Sequence, residues 1–206
     1  MEQKKSVTQY NLISGILFVV IAIFSLIYTI SIIKYLGSLR ILFSALDIAG
    51  YAVIAFALIS KRRDIILPIG FAVLALISLV VMFFGVSLYG LCRFIALLGA
   101  TFIFIVYMTE YLPQYKEQIK NLWFAPAALL AVGGVLGVLS TFVLGRGYGF
   151  RSFLLELIVA GGVLFASIWV VYPDGLPKTE FTQKASNTTS GCTTAEITSE
   201  IYCGLL

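Results

Sequence analysis

The sequence predicts an all-α fold: a polytopic transmembrane bundle of six helices arranged as three helical hairpins, with a disordered C-terminal tail. Three observations carry this. The chain of 206 residues is 60% hydrophobic and only 12% charged, against about 25% charged residues in a soluble domain, so lipid must solvate most of its surface. Apolar runs recur: 12–33 and 121–145 carry no charge, 41–60 only Asp47, 65–109 only Arg93, and 152–172 only Glu156. A helical span needs about 20 mostly apolar residues, and 65–109 is long enough for two. The runs are continuously apolar rather than alternating, which argues against the strands of a transmembrane barrel.

The elements follow in order. Residues 1–11 form a short cytoplasmic lead-in, and 12–173 form the transmembrane domain. The first helix is expected at about 12–33. Its apolar stretch exceeds the roughly 7–15 residues of a signal-peptide core, and no clean cleavage site follows, so it reads as a retained span. Lys34–Arg40 is a tight connection to the second helix, 41–59. Lys61-Arg62-Arg63-Asp64 is the densest charge cluster. The third helix, 65–84, has Pro68 in its first turn, where a missing N–H costs little. A loop at Gly85–Gly90 leads to the fourth, 91–110. A polar loop at 111–120 precedes the fifth, 122–144, with Pro126 near its start. The glycine-rich turn Gly145-Arg146-Gly147-Tyr148-Gly149 opens the sixth, 152–172, which Pro173 and Pro177 end.

The odd-numbered helices begin near 12, 65 and 122. That regular spacing, with loose Tyr-Gly-Arg copies at the hairpin turns, suggests three hairpins in parallel orientation, as in repeat-built transporters. The Lys and Arg count orients them. With the N-terminus inside, inner segments hold nine (Lys4, Lys5, Lys61, Arg62, Arg63, Lys116, Lys120, Lys178, Lys184) and outer loops five (Lys34, Arg40, Arg93, Arg146, Arg151). A multi-pass protein of the bacterial cytoplasmic (inner) membrane, with both termini cytoplasmic, is expected. The net charge of +4 is in this setting a topology signal and implies no nucleic acid partner.

Small residues mark close helix approach where lipid provides no hydrophobic drive. Gly133, Gly137, Thr141 and Gly145 recur every fourth residue on the fifth helix. Bundle packing is the plain reading, and a homo-oligomer or protein partner docked on this helix is the other. The tail, 174–206, is rich in Thr and Ser and predicted disordered. Its Asn187-Thr188-Thr189 sequon and Cys203-Gly204-Leu205-Leu206 end are chance matches to modification motifs. Aromatics such as Tyr28, Tyr35, Tyr89, Tyr111, Trp123, Tyr148, Trp169 and Tyr172 fall at depths suited to interfacial belts.

The chain has no histidine, which removes the usual general base and commonest metal ligand. Cys92, Cys192 and Cys203 form no CxxC pair. No catalytic residue, metal site or cofactor is predicted, and an enzyme is not expected. The ligand-binding candidates are Arg40, Asp47, Arg93, Arg151 and Glu156. Arg40, Arg93 and Arg151 each stand at the outer N-terminus of an even-numbered helix, where a cation opposes the helix dipole. Arginine there calls for an anion, which its planar fork binds bidentately. Lipid phosphate, the carboxylates of Asp47 and Glu156, and an external anionic ligand are three candidates. Arg40 and Asp47 are seven residues apart and share a helix face, whereas Glu156 is turned away from Arg151 and should meet another helix.

Two functions follow. One is binding or transport of a small anionic ligand through an Arg-rich outer-half cavity. The alternative is a non-transporting interaction protein: an accessory subunit, an immunity or sensor protein, or an assembly factor. In size, helix count and termini the chain resembles the substrate-binding subunits of energy-coupling-factor vitamin transporters, although its first helix lacks an Ala-x-x-x-Ala face.

Overall fold

The computed structural model describes residues 2–35, 37–61, 65–84, 88–109, 112–144 and 150–173. Arg62–Asp64, the glycine-rich turn 145–149 and the tail from 174, with its sequon and Cys192 and Cys203, lie outside them. All the helices belong to one compact unit, Met1–Gly175. The described residues contain no strand. The helices are α1 (Glu2–Ile32), α2 (Ser38–Ile59), α3 (Ile66–Phe84), α4 (Leu88–Met108), α5 (Lys116–Ile119), α6 (Ala125–Leu144) and α7 (Phe150–Val171), with 3-10 turns at Ile33–Tyr35 and Pro113–Tyr115.

The all-helical class is as expected, but the count differs. Seven α-helices stand among the described residues, because the polar segment after α4 is not a plain loop: α5 is a four-residue turn within it. Five helices (α1, α2, α3, α4 and α7) are long and apolar enough to cross a membrane, while the described apolar stretch of α6, Ala125–Ser140, is shorter. Boundaries shift for physical reasons. Helix α1 starts at Glu2 rather than near 12, because Glu2, Gln3, Lys4, Lys5 and Gln9 are good helix formers and no Gly or Pro interrupts before Gly15. Helix α4 starts at Leu88, so Tyr89 and Gly90 are helical rather than loop. Pro126 sits at the second position of α6, and Pro173 follows the end of α7, both where proline is tolerated.

The long helices pack as a closed ring. Helix α1 meets α2, α2 meets α3, α3 meets α4, α4 meets α6, α6 meets α7, and α7 returns to α1 while also reaching α4. Side chains follow the inverse of a water-soluble pattern. Phe18, Phe71 and Phe104 are fully buried, yet Ile23, Phe24, Ile27, Leu76, Phe83, Leu98 and Phe142 are exposed, Phe142 at 83%. Monomeric soluble proteins do not display apolar area on this scale. Hydrocarbon is the solvent this surface fits.

Glycines set the helix spacing. A Cβ at Gly133 would lie 2.8 Å from the Cβ of Cys92, so α6 approaches α4 at van der Waals limits. One at Gly134 would meet the Phe153 ring at 3.2 Å and Cβ of Glu156 at 3.6 Å, which seats α6 on α7. The described glycines of the small-residue face, Gly133 and Gly137, are therefore turned into the bundle. The exposed large side chains of α6 are Val132, Val135, Leu139 and Phe142.

At the end of the bundle holding the N-terminus, aromatic groups pin the polar segment. Tyr107 donates to the carbonyl of Lys116 at 2.8 Å, and the rings of Trp123 and Tyr172 meet edge-on at 5.9 Å. The α1–α2 hairpin closes there too. Asn11, 1% exposed, donates from Nδ2 to the carbonyl of Leu58 at 2.9 Å, and Lys61 N also donates to that carbonyl at 3.1 Å. Helix α2 thus ends on a cap borrowed from α1. Asn11→Ala is expected to lower stability by about 1 kcal/mol, the scale of one interhelical hydrogen bond in a membrane. Asn11→Asp should cost more, because it sets a buried carboxylate against a carbonyl oxygen. A detergent unfolding midpoint for the three side chains tests the order; an Asp variant at least as stable as Ala would refute it.

Candidate functional site

Charged side chains inside an apolar bundle must find partners, and three of them find each other. Asp47 and Tyr51 lie one turn apart on α2, Tyr89 and Arg93 one turn apart on α4, and Glu156 lies on α7. Spacing of four residues puts each α2 and α4 pair on one helix face. Arg93 is the hub. Its Nη2 donates to the Tyr51 hydroxyl at 2.5 Å and lies 3.7 Å from Oδ1 of Asp47. Its Nη1 makes a long contact, 3.4 Å, to the Tyr89 hydroxyl. Tyr89 in turn donates to Oε2 of Glu156 at 2.8 Å. One ionic chain therefore links α2, α4 and α7.

The cluster is incompletely satisfied. Arg93 Nε, Asp47 Oδ1 and Glu156 Oε1 are buried and have no hydrogen-bond partner. Glu156 is 3% exposed. Beside it a cavity of about 90 Å³ opens between α2, α3 and α4, with Asp47, Ser78, Tyr89 and Arg93 contributing its polar wall and Ile77, Val81 and Met82 its apolar wall. A water needs roughly 10–15 Å³ of such volume, so a few waters or one small ion fit. Drug-sized ligands occupy pockets of roughly 300–1,000 Å³. The arrangement sets a carboxylate and a guanidinium together in the wall of one small polar cavity.

Of the five candidate residues, the structure brings Asp47, Arg93 and Glu156 together. Arg40 is exposed in the first turn of α2, and its neighbour on the helix face, Asp47, faces Arg93 instead. Arg151 begins α7, and its side chain lies outside the described residues. Glu156 meets another helix, α4 through Tyr89, as its angular offset from Arg151 implies. Two further side chains of the cluster, Tyr51 and Tyr89, do not stand out in the sequence. Tyr89 reads from sequence as an interfacial aromatic, and Tyr51 carries no mark of its own in an apolar run. The available signal was their four-residue spacing from Arg93 and Asp47. Among the described residues no group of three His, Cys, Asp or Glu side chains is placed to hold a metal ion.

Fold and cluster define a class: a helical multi-pass integral membrane protein with a buried ionic cluster beside a small polar cavity. No known protein family, curated protein or solved structure matches the chain. The likeness to vitamin-binding transporter subunits therefore stays one of size and helix number, and a cavity of about 90 Å³ is too small for a vitamin.

Proposed function

We propose that this chain is a six-span protein of a bacterial cytoplasmic membrane, built as three hairpins with both termini cytoplasmic, that binds a small ionic ligand between α2, α3 and α4. The observation that carries the ligand is the juxtaposition of unsatisfied Asp47 and Arg93 with the cavity they line. Among the described side chains, Arg93 is the only arginine in that wall. Binding would be felt by α2, α4 and α7 at once, because all three supply side chains to the cluster. Transport is the natural use of such an arrangement, since intramembrane charges mark ion pathways.

The sixth span rests on the length of α6. Its 20 residues reach about 30 Å at 1.5 Å per residue, the thickness of a hydrocarbon core. The nine-to-five distribution of Lys and Arg supports the orientation.

Topology and binding are tested separately. In a chain lacking its native cysteines, Ser38→Cys should react with an impermeant maleimide from outside intact cells, and Gln118→Cys only after permeabilisation. Ser152→Cys should side with Ser38→Cys; labelling from the Gln118 side would remove α6 as a span. For binding, purified protein in detergent is heated in a series of small salts. A saturable rise in midpoint, with added salt or with falling pH, that disappears in Asp47→Asn is the expected result, and a midpoint indifferent to every salt and to pH would end the ligand reading.

A further inference from the structure

The sign of the ligand can be read from charge and geometry, taking the binding site above as given. Asp47 and Glu156 contribute two negative charges and Arg93 one positive, so the cluster sums to −1 with all three ionised. Among the described side chains no other element corrects this; Arg151, five residues before Glu156 on α7, has its side chain outside them. Helices α3 and α6 contain no ionisable residue, and α1 from Asn11 to Ile32 contains only Tyr28. Helix α2 adds Tyr51 and exposed Arg40, and α4 adds Tyr89 and buried Cys92, none of which supplies a positive charge to the cluster.

Hydrogen bonding points the same way. Both carboxylates keep a buried oxygen without a donor, Oδ1 of Asp47 and Oε1 of Glu156. Tyr51 accepts from Arg93, and Tyr89 accepts from Arg93 while giving its proton to Glu156. Two uncommitted acceptors on anionic groups stand against one uncommitted N–H, the Nε of Arg93. An anion entering the cavity would bring the sum to −2 and add acceptors where donors are short. A single positive charge would bring it to zero.

We propose that the cluster takes up one unit of positive charge, as a small monovalent cation seated in the cavity against Asp47 or as a proton delivered to one of the carboxylates. The cavity suits this. It admits an ion with a few waters, and Ser78, whose hydroxyl donates to the carbonyl of Leu74 at 2.8 Å, keeps oxygen lone pairs to offer. Arg93 then acts as the fixed countercharge that keeps a second cation out. This reverses the ligand class expected from three converging arginines: among the described side chains one guanidinium faces two carboxylates.

The test uses the full-length protein in detergent at constant ionic strength. Choline chloride is replaced by lithium, sodium or potassium chloride at pH 8, and the unfolding midpoint is followed. For a seated cation, the midpoint rises and saturates with one-site dependence for at least one of the three. For a proton, the metal ions change nothing, and the midpoint in choline rises as pH falls from 8 to 5 with the slope of one proton. Asp47→Asn and Glu156→Gln decide that the response belongs to this cluster. Each removes one negative charge and leaves a neutral cluster without any ligand. Each should fold in choline at pH 8 with a midpoint at or above that of wild type, and at least one should lose the dependence. A midpoint that rises only with the anion, in a chloride, nitrate and gluconate series, overturns the sign while the binding site stands. Indifference to all ions and to pH overturns both. Variants that drop below wild type and keep its full response overturn the assignment to this cluster.

Discussion

Arg93→Met is expected to be among the most damaging single substitutions in the chain. It lowers stability by about 3–5 kcal/mol, the cost of leaving a buried charge without its partner. The lower half of that range applies, because Arg93 and Asp47 keep side-chain exposures of 17% and 27%. Methionine matches much of the arginine volume, so little cavity is created. What is lost is the countercharge. The cluster moves from −1 to −2, Tyr51 loses its donor, and Tyr89 loses the guanidinium while keeping its bond to Glu156. The check is the amount of folded protein extracted from membranes, together with its unfolding midpoint in detergent. The decisive comparison adds Asp47→Asn and Glu156→Gln to Arg93→Met. That triple variant is neutral, and it should recover most of the loss, since replacing a whole buried ion cluster with uncharged groups is often tolerated. A triple variant no better than Arg93→Met alone would mean that Arg93 acts through packing rather than charge.

The same residues show what was legible in the sequence. Asp47, Arg93 and Glu156 stand out because each is the lone charge in a long apolar run, and the energetics of the bilayer make such residues conspicuous. Their helices are legible for the same reason. Which of them would meet was not, because an apolar run records that a helix is buried in lipid and not which helix lies beside it. The ring order, with α7 closing on α1 and reaching α4, is set by shape at positions such as Gly133 against Cys92 and Gly162 against Phe18. Small-residue spacing announces close contact without naming the partner. Tyr51 and Tyr89 were hidden differently. A tyrosine near a membrane surface has an ordinary explanation in the interfacial belt, and only the neighbouring charge one turn away distinguishes a tyrosine that serves an arginine. The start of α1 was missed because hydropathy reports solvent and not helicity, so a polar turn continuous with an apolar helix leaves no mark at the junction.

Gly162→Leu is the second substitution expected to have a large effect, and it reaches the ionic cluster without touching it. A Cβ at Gly162 would lie 2.9 Å from Cε2 and 3.1 Å from Cζ of Phe18. That ring has nowhere to go. It is fully buried, stacked on Tyr51 with centroids 6.2 Å apart and set edge-on to Phe71 at 5.7 Å. The backbone is committed as well, since Ser14 donates to the carbonyl of Gly162 at 2.7 Å and holds α1 against α7. Overpacking a filled core costs about 1–3 kcal/mol. Gly162→Ala should show the lower part of this, offset by the roughly 1 kcal/mol that alanine gains over glycine in a helix. Leucine adds bulk that only separation of α1 from α7 can accommodate, so a loss of about 3 kcal/mol is expected. Phe18→Leu supplies the missing space. Combined with Gly162→Ala, it should be less damaging than the sum of the two single effects, with a coupling of at least about 0.5 kcal/mol, the threshold for residues in contact. Additive effects in the unfolding midpoints would show that the ring yields freely. A displaced Phe18 also moves Tyr51, whose hydroxyl accepts the shortest hydrogen bond of Arg93. Gly162→Ala should therefore weaken the response to ions or pH in proportion to the shift of that ring, and Phe18→Leu should restore part of it, although neither residue carries a charge.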